Sequence, residues 1–493
     1  MLKSWDIFDT LIARRCVFPQ NIFAIVEKLS NVQGFVSARM VAEQNLFSRG
    51  NFTFDDIYEE FQRITSAPKN LCDALKKLEL DVEFEQSIPI TENIRQVKSG
   101  DILISDMYLP EQFVRRLLKK AGLLVPVEIV ITSSGKHSGR VWKQLVDQKK
   151  FVFHVGDNLD SDIKKTRLAG FEAFLSVLSN PNPPEQYMLQ KDFNFGAYLR
   201  EIRLRNPFSE EIKRIYWQLC TANMGLLILL VQQIDILQKK CGFEYLGFCG
   251  RDTYYLRLLY EKYKLQIGET PVPNDYLYYS RKLVHNSGAE LAKYFSAKIN
   301  GRKALLIDLF GSGTHLHTLR KAFKLNFSIL ICLLGRDVFN LYPNMPHVKN
   351  WLSAFDSTLN VSTDDAAIFF FDVSVTNLDG SVTELLNRAV HNTPVRLRTI
   401  HVGDKLLPEV TFSEINDTEN FDVLTACLDE VLNSKLIFPA SNSDGGGVKE
   451  LISPLIHFVC SSHAPLPLRA NHNISGQIDA TEFKISTEFA QKK

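Results

Sequence analysis

The chain of 493 residues lacks several features that would fix its class at once. Eight cysteines stand at 16, 72, 220, 241, 249, 332, 427 and 460, and none form a CxxC pair, which removes zinc-ribbon and thioredoxin-like readings. No charge sign dominates, since 57 Lys+Arg against 56 Asp+Glu leave a formal net charge of +1. A nucleic-acid partner is therefore not expected, because non-specific phosphate binding needs a basic surface that displaces counterions. Long apolar runs are also missing. The most apolar stretch, Gly225–Val231, is stopped by Gln232 and Gln233. A membrane span wants about 20 apolar residues, so no transmembrane segment is expected and this stretch reads as a buried helix. The start, MLKSWDIFDTLIARR, carries acids early and no apolar signal core, so a reducing cytoplasm is the expected compartment.

What is present is an ordinary globular composition, 45% hydrophobic and 23% charged, in a chain long enough for two or three domains. Strand-like apolar runs occur at Trp5–Phe8, Ile102–Ile104, Val127–Ile131, Phe151–Val155 and Ala173–Val177. Later ones occur at Tyr245–Cys249, Tyr276–Tyr279, Ala304–Ile307 and Ile329–Leu334. They alternate with helical patterns, so the expected class is α/β with two Rossmann-like parallel-sheet domains. Residues of about 18–95 carry helical periodicity between the first two runs, a helical insertion in the first sheet. Thr53 and Asp56 are spaced as a capping box before Ile57 and Phe61. The cluster Ser179-Asn-Pro-Asn-Pro-Pro184 reads as a linker. The expected organisation is a first domain at 1–180, a linker at 181–204, a second domain at 205–400 and a C-terminal accessory segment at 401–493.

Four pieces in the first domain each follow an apolar run: Asp6-Ile-Phe-Asp9-Thr10, Ile104-Ser105-Asp106, Ser134-Gly-Lys136, and Gly156-Asp157 through Asp162. Chemically they make a phosphate-ester site. Asp6 at a strand end can attack phosphorus, Ser105 can hydrogen-bond phosphoryl oxygens, and Lys136 can neutralise their charge. Asp157 and Asp162, with Asp6, offer hard oxygens to a magnesium ion. Asp106 reads as a cap for the helix beginning near Leu109-Pro110, and His154 as a satisfied core histidine.

The order of these pieces resembles the haloacid dehalogenase (HAD) superfamily. The resemblance implies a HAD core over 1–180 whose helical insertion is the cap that closes over the substrate. It also implies Asp6 as nucleophile, Thr10 in substrate binding and Mg2+ as cofactor. One departure stands out: the position that usually holds a second Asp is Phe8, and an acid comes one residue later, at Asp9. Either Asp9 swings in through a local bulge, or the leaving group is protonated from elsewhere.

A second set lies further along. Tyr245 through Cys249 leads into Gly250-Arg251-Asp252. Tyr278-Tyr-Ser pairs Arg281 with Lys282, a planar fork beside a point charge suited to pyrophosphate. Ala304-Leu-Leu-Ile-Asp308 runs into Gly311-Ser312-Gly313-Thr314, a small-residue turn whose N–H groups can approach a phosphate at a helix N-terminus. This trio resembles type I phosphoribosyltransferases, which implies pyrophosphate contacts at Gly250, Arg251, Arg281 and Lys282. It implies ribose and 5-phosphate contacts at Asp308 through Thr314.

Together the two halves resemble bacterial two-domain enzymes that add ribofuranose to surface polysaccharides such as O-antigen and capsule. The implied substrates are phosphoribosyl pyrophosphate and a lipid-linked glycan acceptor. Ribosyl phosphate would be transferred and then dephosphorylated, in the cytoplasm or at the inner membrane, beside other glycan-assembly enzymes. Two alternatives use the same residues. One is a HAD phosphatase whose C-terminal half only binds a glycan or a partner. The other is a non-catalytic assembly protein.

Overall fold

The computed structural model describes residues 2–47, 50–148, 152–249, 253–277, 284, 288–311, 314–334, 368–370, 395–402, 405–412, 418–439, 451 and 455. The chain forms two compact units, Met1–Gln186 with Ala197–Ser209, and Tyr187–Gly196 with Glu210–Lys493.

The first unit is built on a five-stranded sheet. Its strands are β1 (Leu2–Trp5), β4 (Ile102–Asp106), β5 (Glu128–Thr132), β6 (Val152–Gly156) and β7 (Glu172–Leu175), with β2 and β3 set apart. The order is β5-β4-β1-β6-β7 and every pairing is parallel. Helices on the crossover connections leave the central strands buried on both faces, which is why they read as unbroken apolar runs. Trp5 faces Leu103 on one side and Val155 on the other. The chain therefore builds outward from β1 to β4 and β5, then returns to the other side with β6 and β7. In open sheets of this kind ligands bind where the direction reverses, at the carboxyl ends of the strands. Here that point lies between β1 and β6.

The helical insertion, called the cap for its position alone, holds helices α1 (Pro19–Ser30), α2 (Phe35–Phe47), α3 (Phe54–Thr65) and α4 (Lys69–Gln86), strung between β2 (Ile12–Arg14) and β3 (Ser87–Pro89). Strands β2 and β3 pair antiparallel, so the two chain crossings into the cap form one stem. The capping box expected at Thr53 and Asp56 is present in full. At the centre of the cap Arg39 is fully buried and donates to both carboxylate oxygens of Glu79, at 2.9 and 2.8 Å. Its guanidinium lies 4.5 Å from the Phe23 ring and 5.0 Å from that of Tyr108. Tyr108 follows β4, so the same arginine ties the cap to the core.

Short helix α5 (Thr91–Ile94) returns the chain from the cap, and α6 (Glu111–Lys120) and α7 (Arg140–Asp147) cover the sheet. A wide π-type turn at Leu159–Lys164 runs into α8 (Lys165–Leu168).

The segment 181–204, expected as a linker, instead forms α9 (Pro183–Lys191) and α10 (Phe193–Leu204). The misreading has a local cause. The Pro/Asn cluster is a helix start: Asn182 and Glu185 exchange reciprocal backbone–side-chain hydrogen bonds of 2.9 Å, and Pro183 and Pro184 occupy the first turn, where no N–H is needed. Residues 197–209 then pack back into the first unit.

The second unit opens with α11 (Glu211–Cys241). By length and composition it could cross a membrane, but 94% of its most apolar window is buried within the protein, consistent with a core helix. Strands β8 (Tyr245–Cys249), β9 (Asn274–Leu277), β10 (Ala304–Gly311), β11 (Ser328–Leu334) and β12 (Ile368–Phe370) form a second parallel sheet, ordered β9-β8-β10-β11-β12. Helix α12 (Tyr254–Gln266) follows β8. The boundary expected at 400 falls inside an antiparallel pair, Val395–Val402 with Lys405–Phe412. The helix Thr418–Asn433 packs on α11, and Leu436 exchanges hydrogen bonds of 2.7 and 2.8 Å with the Gln266 side chain. Residues 418–439 thus belong to the packing of the second unit rather than forming a separate segment.

Candidate phosphoryl-transfer site

Asp6 is the first residue beyond β1, and its amide donates to the Val155 carbonyl at 2.8 Å, which fixes it against the end of β6. Asp157 begins the loop after β6, and Asp162 lies in the following wide turn. Carboxylate oxygens of Asp6, Asp157 and Asp162 lie within 4.8 Å of one another. Lys136 is buried and donates to Asp6 and, at 2.6 Å, to Asp162. Ser105 is buried near the end of β4, the strand beside β1.

The electrostatics follow from burial. Desolvation pushes Asp6 well above the usual carboxylate range, with Asp162 and Asp157 adding to the rise and Lys136 opposing it. Asp157 is pushed up to about 6 by burial and by the neighbouring Asp9 and Asp162. Asp162 moves the other way despite burial, held ionised by Lys136 and His154. Three carboxylates facing one lysine leave a local excess of negative charge. An oxygen-rich donor set with that excess fits a divalent cation of the hard class.

The loop carrying Lys136 is held by a residue whose role differs from its expected one. Asp106 does not cap the helix that follows it, since α6 has no side-chain cap. Instead it accepts from Thr132 Oγ1 at 2.5 Å and from the amides of Lys136 and His137 at 2.8 and 2.9 Å. His154 is a buried core residue, as expected, but it also touches the site. It lies 2.9 Å from Ser4 Oγ through Nδ1 and 3.3 Å from Asp162 through Nε2. Gly156 has a geometric reason: a Cβ there would collide with the Asp162 carboxyl group.

Asp9 has a left-handed backbone, φ 59°, uncommon for a residue with a side chain. Its amide donates to the Ile12 carbonyl at 2.6 Å, while Leu11 and Ile12 both donate to Ile7. The backbone therefore makes a tight loop at Asp9. It buries Phe8 under the Arg14 guanidinium, 4.6 Å from the ring, and leaves Asp9 near enough to Asp157 to raise its pKa. Burial raises Asp9 itself, against Arg14 and Arg200. Thr10 is fully buried, and its hydroxyl lies 3.4 Å from Asp157 while its carbonyl accepts from Asn93 at 2.8 Å.

The cap sits over this end of the sheet. Asn51 Oδ1 accepts from Ser134 at 3.2 Å and Arg140 at 2.6 Å, and the Phe52 amide donates to Ser133 at 2.8 Å. Phe47 lies against His137, with ring centroids 6.1 Å apart.

In the second unit, β8 and β10 are neighbours although β9 intervenes in sequence, so a switch point lies there too. Asp308 is half-buried in β10, one residue beyond the Ile307–Phe248 register pair. Gly311 ends β10 and Thr314 begins the next helix. Gly250, Arg251, Asp252, Arg281, Lys282, Ser312 and Gly313 lie outside the described residues.

Sequence reading missed the contacts that Asp106, His154, Asn93 and Arg200 make beside these residues. Asp106 and His154 sit beside or within the quoted motifs, but nothing in their spacing distinguishes a loop anchor from a helix cap. Asn93 and Arg200 come from segments with no motif. Comparison with known proteins gives no matching family model and no matching curated protein.

Proposed function

We propose that the first unit is a phosphomonoesterase acting through an aspartyl-phosphate. The observation that supports this best is the convergence of Asp6, Asp157, Asp162 and Lys136 at the switch point between β1 and β6. Asp6 attacks phosphorus as the bond to the leaving oxygen breaks, and Asp9 gives that oxygen its proton. Ser105 and Lys136 hold the equatorial phosphoryl oxygens. Water then attacks phosphorus, the bond to Asp6 breaks, and Asp9 takes back a proton. Asp6, Asp157 and Asp162 would hold Mg2+, which supplies positive charge against the phosphoryl oxygens when bound. Lys136 also opposes the rise in Asp6 pKa, favouring its ionised form.

The wider reading joins this activity to ribosyl transfer. It is favoured by the second parallel sheet, with Asp308 near the β8–β10 switch point, β10 ending at Gly311 and a helix beginning at Thr314. Phosphoribosyl pyrophosphate would bind there, a glycan hydroxyl would attack C1, and the first unit would remove the 5-phosphate. The test is mass spectrometry of a glycan acceptor incubated with phosphoribosyl pyrophosphate and Mg2+. The expected result is a gain of ribosyl phosphate followed by loss of the phosphate, with Asp6→Asn stopping at the phosphorylated product. No Mg2+-dependent hydrolysis of any phosphate monoester would refute the phosphatase reading. Hydrolysis without ribosyl transfer would confine the function to the first unit.

A further inference from the structure

Five arginines stand at 14, 15, 200, 203 and 205 in the first unit, and four of them pair closely with a carboxylate. Arg14 is 2.8 Å from Glu83, and Arg203 is 2.6 Å from Glu185. Arg15 and Arg205 share Glu201, at 2.5 and 2.9 Å. Arg200 differs. It is 1% exposed, and its Nε and Nη1 donate to the carbonyls of Ser179 and Arg14 at 2.7 and 2.9 Å. Carbonyls satisfy N–H groups but do not balance a charge, and a buried guanidinium without a counter-ion is costly. The carboxylate facing its remaining nitrogen is Asp9, with Nη2 4.0 Å from Oδ1. That gap is about 1 Å beyond a hydrogen bond, within reach of a side-chain rotation.

We propose that Arg200 is a positioning residue for Asp9, anchored on two backbone carbonyls and holding the Asp9 carboxylate after its proton has left. The inference rests on the phosphatase reading above. As the Asp6–phosphorus bond forms and the bond to the leaving oxygen breaks, the Asp9 proton passes to that oxygen. The resulting carboxylate faces the fixed guanidinium. When water opens the aspartyl-phosphate, its proton returns to Asp9 and the pair relaxes. The left-handed turn at Asp9 brings the acid beside Arg200, one residue later than the spacing would otherwise place it. Helix α10 thereby contributes to the site from outside its sheet.

The experiment uses the full chain with Mg2+ and two substrates. 2,4-Dinitrophenyl phosphate has a leaving group that needs no proton, whereas ribose 5-phosphate has one that does. Arg200→Met should lower kcat on ribose 5-phosphate at least about tenfold more than on the dinitrophenyl ester. Asp9→Asn should show the same selectivity, and adding Arg200→Met to it should cost less than about twofold further. Arg200→Lys, which keeps the charge, should recover part of the loss and carries the comparison if the methionine variant does not fold. Equal losses on both substrates would make Arg200 merely structural and overturn the proposal. So would losses that multiply in the double variant. If the wild type hydrolyses neither ester in an Asp6-dependent way, the phosphatase reading fails first and this proposal with it.

Discussion

Replacing Arg39 by methionine should open the cap, and the structure fixes how far and why. Arg39 and Glu79 are both buried, and Glu79 accepts two hydrogen bonds from the guanidinium and one from Tyr58 at 2.8 Å. Methionine fills much of the volume but removes the positive charge, leaving Glu79 as a buried carboxylate held by the Tyr58 hydroxyl. Breaking a buried pair in this way costs about 3–5 kcal/mol, a roughly 150- to 5,000-fold change in the opening equilibrium. The two-unit chain is not expected to unfold in one step, so the measurement should be local. Hydrogen exchange of α2 and α4 amides reports cap opening directly. Glu79→Gln in the same chain removes the stranded charge while keeping an acceptor for Tyr58, so the double variant should regain all but about 2 kcal/mol. A pH arm checks the sign. Burial already raises Glu79 above its ordinary 4.5, and loss of Arg39 would raise it further. The folded form then binds more protons than the unfolded form, so the Arg39→Met defect should shrink as pH falls toward 4.5 and grow as it rises. Unchanged exchange in Arg39→Met, or a double variant as open as the single one, would refute the reasoning.

Two further outcomes concern the carboxylate cluster. Gly156→Ala places a Cβ against the Asp162 carboxyl, which Lys136 and the Asn158 amide hold from other sides, so Mg2+ affinity by calorimetry should fall at least about tenfold. Unchanged affinity would show that Asp162 is not a ligand. Asp6 and Asp157 must both be ionised to bind metal and burial raises both, Asp157 to about 6, so the Mg2+ affinity should fall by about tenfold to a hundredfold per pH unit below that value. Flat affinity from pH 7 to 5 would contradict this.

The strands were legible because central parallel strands are buried on both faces and must be apolar throughout. The first run is an instructive exception. β1 is Leu2–Trp5, whereas the apolar run continues through Ile7 and Phe8, whose burial belongs to the loop after the strand. The Pro/Asn cluster near 182 misled for a related reason. The residues that break a helix from within also start one, and only the reciprocal Asn182–Glu185 bonds distinguish the cases.

The sequence by itself determined the α/β class, the cap's place and the candidate donor residues Asp6, Lys136, Asp157 and Asp162. These follow from periodicity and from residue types at strand ends, which are local properties. Tertiary structure alone decided what surrounds them. Asp106 and Lys136 lie 30 residues apart, and Arg200 and Asp9 lie 191 apart. Their meeting depends on the order of strands in the sheet and on the return of α10 to the first unit. A charge's partner and its burial are properties of that packing, and they set which carboxylates are pushed toward the protonated form and which are held ionised.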